Sequence, residues 1–373
     1  MNKKIGTITF QASHNCGSLL QAYALQQTLK AMGYDNEIIN FSNEGSRDMY
    51  SILPPIHPFR RGIRGRFQNW IKSIQYYSIL KRQHASYENF IANKLRLSNR
   101  AYNSNEELQN AHFDYTHYIT GSDQVWNIEI TQADYDKYFL AFALHNRKVS
   151  YAASFGNNEW DFPSKRNEIR GFLSAFKYIT VREEMGVNIL KDEFNMKGNC
   201  VLDPCFLLDG NDFLFGKIIE SKKILVSYKL SYDRFYDLEL RKLGKMLGCK
   251  VNRLRYKYVS SLPNCKDLNV GYCDVEEWLY SIASASYVVT DSFHGMVFSI
   301  LFKKQFVIFP LNPKRSSRID DLLKKLNMLH RKVYSWNDAN NLFGSAPIDY
   351  SIVHERLSIL RQKSICELQN MLS

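Results

Sequence analysis

The sequence lacks both a long apolar run and a cysteine pattern typical of metal or redox sites. No stretch approaches 18 uninterrupted apolar residues, so we expect no membrane-spanning helix. The seven cysteines are scattered and form no CxxC pair, which argues against a zinc ribbon or a thioredoxin-like motif. The N-terminal residues MNKKIGTITF contain no apolar segment of signal-peptide length. We therefore expect a reduced, cytoplasmic protein.

The common motifs of nucleotide and zinc enzymes are missing as well. The sequence contains no GxxxxGK[ST] loop, no GxGxxG turn and no HExxH helix. Nucleotide hydrolysis, nicotinamide chemistry and zinc catalysis consequently have no support. We expect neither a resident cofactor nor a catalytic metal ion.

The composition is that of a globular protein with a marked positive charge. The chain has 373 residues, of which 45% are hydrophobic and 23% are charged, and this length suggests about two domains. The formal net charge is +12, which favours phosphates, nucleic acid or an anionic membrane face as partners. Because no recognised nucleic-acid-binding module is present, we expect no nucleic-acid partner.

The hydrophobic pattern predicts two successive α/β series. Short β-rich runs alternate with segments of helical period, which indicates parallel sheets built from βαβ units. Strands are predicted at 5–10, 38–41, 118–120, 148–152 and 178–181, and then at 223–228, 250–253, 287–290 and 306–309. Helices are predicted at 19–32, up to about 176, from 182, and at 235–247, 275–283, 296–302, 317–326 and 352–372. We expect two Rossmann-like halves that face each other across a cleft, with ligands beyond the carboxyl ends of the strands.

This pattern divides the chain into three parts. We expect an N-terminal domain at 1–198, a C-terminal domain at 199–346 and a C-terminal helix at 347–373 that packs back on the N-terminal domain. The segment at about 56–96 interrupts the α/β pattern, because basic and apolar residues alternate there without an acidic residue before Glu88. Its arginines include Arg60, Arg61, Arg64 and Arg66. The segment is typical either of a basic amphipathic helix on an anionic membrane or of an inserted helix with a solvated basic face.

Two polar loops follow predicted strands of the N-terminal half. The first, from His14 to Ser18, places a glycine and a helix N-terminus where an anion or a sugar hydroxyl can bind, or else Ser18 only caps the helix. The second contains Gly121, Ser122, Asp123, Gln124, Val125, Trp126 and Asn127. Its acid, amides and indole suit a carbohydrate, although Asp123 could instead cap a short helix while Trp126 fills the core.

Two further loops follow strands of the C-terminal half. In the segment 291–295, His294 precedes Gly295 and can donate a proton or bind phosphate as a cation, while Asp291 either orients it or caps the next helix. The segment 312–318 holds Lys314, Arg315 and Arg318 and is either an anion site or a solvated loop. Arg182 begins a predicted helix directly after a strand, where its side chain can reach the cleft.

These segments, in this order, resemble those of the polysaccharide pyruvyltransferases over about residues 4–330. The most specific blocks are GSDQVWN from Gly121 and DSFHG from Asp291. The blocks that also match are NCGSLLQAYALQ from Asn15, VREE from Val181, LDP from Leu202 and SSRI from Ser316. Some members of the family carry arginine where this chain has Ser292, so anion contacts are expected to move to Arg315 or Arg318.

The resemblance implies a fold like that of the GT-B glycosyltransferases and phosphoenolpyruvate as a co-substrate. It implies a sugar acceptor with two nearby hydroxyls, a cyclic pyruvate ketal as product, release of phosphate and no metal requirement. The acceptor of such enzymes is often a lipid-diphosphate-linked repeat unit of a capsule or exopolysaccharide. A peripheral position on the inner face of the cytoplasmic membrane would agree with that acceptor.

The chemistry of ketal formation suggests a role for each candidate residue. We expect His294 as the acid and Asp123 as the group that accepts a proton from the acceptor. The donor-binding candidates are Arg182, Ser292, His294, Gly295, Arg315 and Arg318. The acceptor-binding candidates are Asn15, Ser18, Gln21, Ser122, Asp123, Gln124 and Trp126. The alternatives are a GT-B glycosyltransferase that uses a nucleotide sugar and a catalytically silent protein that binds polysaccharide or a partner enzyme.

Overall fold

The structure is a computed structural model of the 373-residue chain. It describes residues 3–42, 50, 52, 77–231, 235–255, 269–272, 274–310 and 316–373. Residues 56–76 of the predicted basic amphipathic segment, which include Arg60, Arg61, Arg64 and Arg66, lie outside the described residues, as do Lys314 and Arg315.

The N-terminal half contains a six-stranded parallel sheet with the strand order β2-β1-β3-β4-β5-β6. Strand β1 lies between β2 and β3, with Ile5 paired to Asn36 of β2 on one side and to His117 of β3 on the other. The strands are β1 (Lys4–Ile8), β2 (Asp35–Ile38), β3 (His117–Thr120), β4 (Lys148–Ala153), β5 (Phe176–Val181) and β6 (Asn199–Cys200).

The C-terminal half contains a five-stranded parallel sheet with the strand order β11-β10-β7-β8-β9. Strand β7 lies between β10 and β8, with Leu225 paired to Tyr287 and to Val251. The strands are β7 (Ile224–Tyr228), β8 (Lys250–Arg255), β9 (Asn269–Tyr272), β10 (Tyr287–Thr290) and β11 (Gln305–Ile308).

Helices connect the strands and cover the sheets, as parallel βαβ units require. In the N-terminal half the described helices are α1 (Cys16–Ala31), α2 (Tyr77–Lys94), α3 (Asn105–Gln109), α4 (Ile128–Thr131), α5 (Tyr135–Tyr138), α6 (Arg166–Leu173) and α7 (Glu184–Phe194). In the C-terminal half they are α8 (Tyr236–Leu247), α9 (Val275–Ser284), α10 (Phe293–Leu301), α11 (Ser317–Lys325), α12 (Trp336–Gly344) and α13 (Tyr350–Leu372). Short 3₁₀ turns lie at Gln132–Asp134, His145–Arg147, Pro163–Lys165, Pro204–Leu207, Gly210–Phe213 and Leu329–Arg331.

Capping residues set the starts of the two helices that carry the candidate loops. The Oδ1 atom of Asn15 accepts hydrogen bonds from the backbone of Gly17 and Ser18, so Asn15 rather than Ser18 caps α1. Ser292 accepts from the backbone N–H of Gly295, so α10 begins at Phe293 and not at Met296 as predicted. His294 therefore lies in the first turn of a helix.

The boundary between the two halves differs from the predicted one. Residues Asn199–Cys200 form β6, the edge strand of the N-terminal sheet, so the N-terminal half extends past 198. The C-terminal sheet begins only at Ile224. Strands β6 and β9 were not predicted, because β6 has two residues and β9 follows a polar stretch without a strong periodic signal. Strand β2 ends at Ile38, and Phe41 makes only an isolated bridge to Tyr102.

The long C-terminal helix α13 lies against the N-terminal sheet. Its buried residues Leu368, Met371 and Leu372 share an apolar cluster with Ile5 and Leu25, and the Ser364 hydroxyl accepts a hydrogen bond from the backbone N–H of Leu202. A second apolar cluster joins residues of α1 and α2 to residues of β7, α9 and α10, so the two halves share one core. No helix in the described part of the chain is long and apolar enough to span a bilayer.

Candidate active site

A cavity of about 730 Å³ lies between the two halves, at the carboxyl ends of β1, β3, β7 and β10. Both sheets contribute to its wall, as expected for ligand sites in open α/β folds. The structure brings seven of the predicted site residues to this cavity: Asn15, Ser18, Asp123, Gln124, Ser292, His294 and Arg318. Described residues of all four predicted loops, which follow β1, β3, β10 and β11, therefore meet in one place.

Asp123 is held as an ionised acceptor at the end of β3. Its φ of 82° lies in the left-handed region, which is strained for most non-glycine residues and directs the carboxylate into the cavity wall. Its Oδ2 atom accepts from the Ser18 hydroxyl at 2.6 Å and its Oδ1 atom from the Gln124 backbone N–H at 2.9 Å. Burial alone would raise the pKa of Asp123, but Arg182, His294 and the Ser18 hydroxyl hold that pKa below its ordinary value.

His294 projects from the first turn of α10 toward the N-terminal half. A Cβ atom at Gly17 would overlap its imidazole ring, so the start of α1 can approach His294 only with glycine at that position. The Nε2 atom of His294 lies 3.6 Å from Oδ2 of Asp203. Among the described residues this buried nitrogen has no hydrogen-bond partner, so its interaction with Asp203 is one of charge proximity.

Asp203 lies behind His294, and the sequence offered little sign of its role. Its carboxylate accepts from Arg182 Nη1 at 2.9 Å, from the Ser122 hydroxyl at 3.1 Å and from the Cys205 backbone N–H at 3.0 Å. Burial opposes its ionisation, but His294, Arg182 and the Cys205 N–H hold the pKa of Asp203 well below its usual range. An aspartate before a proline is normally interpreted as a cap, and only the matched LDP block singled it out.

Arg182, predicted to bind the donor, does not line the cavity. Its side chain is 1% exposed and faces three carboxylates, with nearest distances of 2.9 Å to Asp203, 3.7 Å to Asp123 and 3.9 Å to Glu183. Burial disfavours its charge, but these carboxylates raise the pKa of Arg182 above its ordinary value. The Arg182 guanidinium is therefore paired with carboxylates of the protein itself, because the end of β5 directs this side chain behind the cavity wall.

Arg318 is the predicted guanidinium that reaches the cavity. It lies in the first turn of α11, and its guanidinium carbon is 5.9 Å from the centroid of the Phe293 ring. Because α11 starts beside the cavity, its N-terminal dipole adds to the positive potential there. Arg315, its predicted companion, lies outside the described residues.

Four other predicted residues contribute to the framework and do not line the cavity. Trp126 is fully buried, donates from Nε1 to the Tyr138 carbonyl and stacks on Phe139, so it fills the core instead of offering a face to a sugar. Gln21 donates to the Thr9 hydroxyl and to the Ser18 carbonyl. Ser122 is bound to Asp203. Gly295 lets α10 approach β10, because a Cβ there would overlap the Thr290 hydroxyl.

From the sequence, Asp291 was expected either to orient His294 or to cap the next helix, but its hydrogen bonds go to another loop. It accepts hydrogen bonds from the backbone N–H groups of Leu230 and Ser231 and from the Ser231 hydroxyl, so it joins the loops after β7 and β10. Tyr228 and Leu230, which follow or end β7, also line the cavity, and the sequence did not single them out. Their only signal was their position at a strand end.

Three groups of side chains in the described residues could hold a metal ion: Asp203 with Cys205 and His294, Glu184 with Cys200 and Asp321, and His14 with His84 and Glu88. In the first group Asp203 already binds Arg182, and burial raises the pKa of the Cys205 thiol far above its ordinary value, which makes it a poor ligand. The absence of a catalytic metal stays a prediction.

Comparison with solved structures shows the fold. UDP-GlcNAc 2-epimerase from Neisseria meningitidis, bound to UDP-GlcNAc, matches with a TM-score of 0.52 at 9% identity over 97% of this chain and 94% of that one. The UGT89C1 protein of Arabidopsis thaliana, complexed with quercetin, matches with a TM-score of 0.49 at 13% identity over 98% of this chain and 94% of that one. The chain thus has a GT-B-like fold with two Rossmann-like domains facing across a cleft.

A protein-family profile matches a long part of the chain that includes most of the candidate site residues. No curated protein sequence matches the chain. The family profile described as polysaccharide pyruvyl transferase matches residues 15–313, a span that includes Asp123, Asp203 and His294. Since this match extends over well more than half of the 373 residues, the chain belongs to the polysaccharide pyruvyl transferase family.

Proposed function

We propose that this transferase moves the enolpyruvyl group of phosphoenolpyruvate onto two hydroxyls of a sugar, with formation of a cyclic pyruvate ketal and release of phosphate. The observation that carries the proposal is the meeting of Asp123, His294 and Arg318 on one cavity between the two domains. An ionised carboxylate, an imidazole and a guanidinium are the groups that this reaction requires.

Arg318 supports binding of the donor anion. Phosphoenolpyruvate carries a phosphate and a carboxylate, and a guanidinium can bind either group through two parallel hydrogen bonds. Ser292 lines the same wall beside His294 and offers a hydroxyl. Arg182 is assigned a different role from the one predicted, because it already contacts Asp203, Asp123 and Glu183.

His294 is the acid in this proposal. A proton from the imidazole adds to the methylene carbon of the enol, which becomes a methyl group, and the adjacent carbon becomes cationic. The Asp203 carboxylate lies 3.6 Å from His294 Nε2, so a negative charge stands directly beside the imidazole. The Asp203 carboxylate is itself held by Arg182, so Arg182 acts through it.

Asp123 is the acceptor-side group. Its carboxylate accepts the proton of the first sugar hydroxyl as that oxygen bonds to the cationic carbon. Phosphate then leaves, and the second hydroxyl bonds to the same carbon to close the ring. One of the two hydroxyl protons balances the proton added to the methylene carbon and the other balances the released phosphate. Asn15, Ser18 and Gln124 lie on the same wall and offer hydrogen bonds to the sugar.

The acceptor in this proposal is a lipid-diphosphate-linked repeat unit of a capsule or exopolysaccharide. The net charge of +12 supports work on an anionic substrate, at the inner face of an anionic membrane. The arginines from Arg60 to Arg66 that would make this contact lie outside the described residues.

The test is incubation of the protein with phosphoenolpyruvate and lipid-linked oligosaccharides, followed by phosphate assay and mass spectrometry of the glycan. We expect stoichiometric phosphate release and a glycan mass gain of one pyruvate less one water. An acceptor that lacks one of the two hydroxyls, and heat-unfolded protein, serve as controls without product. Release of nucleotide from a nucleotide sugar, with no phosphate from phosphoenolpyruvate, would replace the proposal by the glycosyltransferase alternative.

A further inference from the structure

Outside the cavity, two histidines and a glutamate from distant parts of the sequence lie together. His14 belongs to the loop after β1, while His84 and Glu88 lie on α2. One ligand atom from each residue lies within 4.8 Å of the other two. None of the three side chains lines the cavity between the domains, so the reaction proposed above does not use them.

The two α2 residues are spaced to act together. Positions 84 and 88 are four apart on a helix and therefore face the same side. His14 approaches this side from the loop, donates from Nε2 to Glu88 Oε1 at 2.7 Å, and lies edge-on to His84 with ring centroids 4.7 Å apart. Two imidazoles and one carboxylate thus converge on a common point.

We propose that His14, His84 and Glu88 form a binding site for a divalent transition-metal ion, with Zn²⁺ as the ion that this ligand set fits. Two imidazoles and a glutamate are an established set of protein ligands for Zn²⁺, which leaves the fourth position open to water. Bonds of about 2.0–2.1 Å bring such ligand atoms to about 3.4 Å from one another. His84 has to move closer by rotation of its side chain, and the ion replaces the hydrogen bond between His14 and Glu88.

The surroundings hold the first ligand of this site in place. Tyr87 stacks on the His14 ring at 5.1 Å with an interplanar angle of 6°, which fixes the orientation of the imidazole. The His14 side chain is 10% exposed whereas that of Glu88 is 54% exposed, so an ion can enter from the Glu88 side. Because His14 is shielded and Glu88 is open to solvent, the metal ion can bind without unfolding of the loop after β1.

An ion at this position fastens α2 to the cavity wall. Ser13 and Asn15, the neighbours of His14, line the cavity. On its other side α2 contacts the C-terminal half, where Ser86 donates to Asp274 at 2.8 Å. The metal site therefore connects the loop after β1 through α2 to the opposite domain and restricts the movement of the wall on which the sugar is proposed to bind.

The test is titration of the metal-stripped full chain with Zn²⁺ in competition with a chromogenic chelator. We expect one ion per chain, and a loss of affinity of at least about tenfold in both His84→Gln and Glu88→Gln, since even outer-shell changes typically cost that much. His112→Gln removes an exposed histidine elsewhere and is the matched control. Visible absorption of bound Co²⁺ reports the ligand geometry in the same proteins.

Specific outcomes decide against the site. Equal Zn²⁺ affinity in the unmodified chain, His84→Gln and Glu88→Gln would overturn it, as would binding that disappears in Cys200→Ser, because the ion would then occupy the Glu184–Cys200–Asp321 group. The circular dichroism of each metal-free variant must match that of the unmodified chain. If His84→Gln does not fold, Glu88→Gln gives the answer alone, because its side chain is half exposed.

Discussion

Arg182 and Arg318 lie near the same aromatic ring, yet they face different surroundings. Their guanidinium carbons are 4.7 Å and 5.9 Å from the centroid of Phe293. Arg182 is buried and its nearest anions are Asp203, Asp123 and Glu183, whereas Arg318 lines the cavity. From the sequence, both were predicted to bind the donor.

The difference shows how one residue type serves two purposes in a single site. A buried arginine surrounded by carboxylates organises them: Arg182 lowers the pKa of Asp123 and, together with His294, that of Asp203, whereas burial still raises the pKa of Glu183. Arg318 at the cavity wall is the arginine to which we assign the donor anion in the proposed reaction. We therefore expect loss of Arg182 to act mainly on stability and loss of Arg318 mainly on substrate binding.

The largest effect is expected for Arg182→Ala. The change leaves the buried Asp203 and Asp123 carboxylates without their cation, and removal of one partner of a buried ion pair typically costs about 3–5 kcal/mol in the free energy of unfolding. Urea unfolding measures this loss. The matched control is Arg166→Ala, which breaks the partly exposed pair with Glu193 and should cost about 0–1 kcal/mol.

Equal losses of stability in the two variants would contradict the organising role of Arg182. If Arg182→Ala does not fold, Arg182→Lys keeps the charge but cannot reach Asp203 and Asp123 together in the same way, so a smaller loss of stability is expected. A fully stable Arg182→Lys protein with a raised KM for phosphoenolpyruvate would instead favour direct donor binding.

The sequence predicted the positions of most strands but not the direction of each side chain at a strand end. Strands such as β3 and β10 are short apolar runs followed by glycine-containing polar loops, and both signals are local. The direction of Arg182 depends on Asp203, which is 21 residues away, and on Phe293 in the other domain. No periodic pattern contains such long-range contacts.

Trp126 shows that the direction of an apolar side chain is equally hard to predict from the sequence. Its loop has the composition of a sugar-binding segment, but the indole gains more by burial against Phe139 and Phe155 than by exposure to the cavity. The polar neighbours Asp123 and Gln124 remain at the wall. A loop can therefore be identified from its composition, while the division of its residues between core and cavity requires the fold.

The next largest effect is expected for His294→Ala. Loss of a general acid typically lowers turnover by about 10²–10⁴-fold, and we expect at least about 10² here. The measurement is the rate of phosphate release at saturating phosphoenolpyruvate. His330→Ala, an exposed histidine of the same domain outside the cavity lining, should keep the original rate. Turnover close to that of the unmodified protein would remove His294 from the chemistry.

A smaller and different effect is expected for Arg318→Ala. A hydrogen bond to a charged group contributes about 1.5–3 kcal/mol, so the KM for phosphoenolpyruvate should rise by about 10- to 150-fold. The free energy of unfolding should change little, which is the opposite of Arg182→Ala. Lys324→Ala removes an exposed positive charge from the same helix and controls for the general field. An equal rise of KM in both variants would show that the general positive potential, and not a direct contact between Arg318 and the donor, is responsible.

The smallest effect, and the one that best resolves the charge of the site, is expected for Ser18→Ala. The Ser18 hydroxyl donates to Asp123 at 2.6 Å and stabilises the ionised carboxylate, so its removal raises the pKa of Asp123. A group that must be ionised for activity loses it as the pH falls through its pKa, so the acid limb of the kcat/KM profile should move to higher pH. At neutral pH, where Asp123 stays ionised, the rate should fall only a few-fold.

Ser13→Ala is the matched control, because Ser13 lies on the same cavity wall but donates to the Phe10 carbonyl instead. An acid limb that stays in place in Ser18→Ala, or that moves equally in Ser13→Ala, would show that this limb belongs to a group other than Asp123.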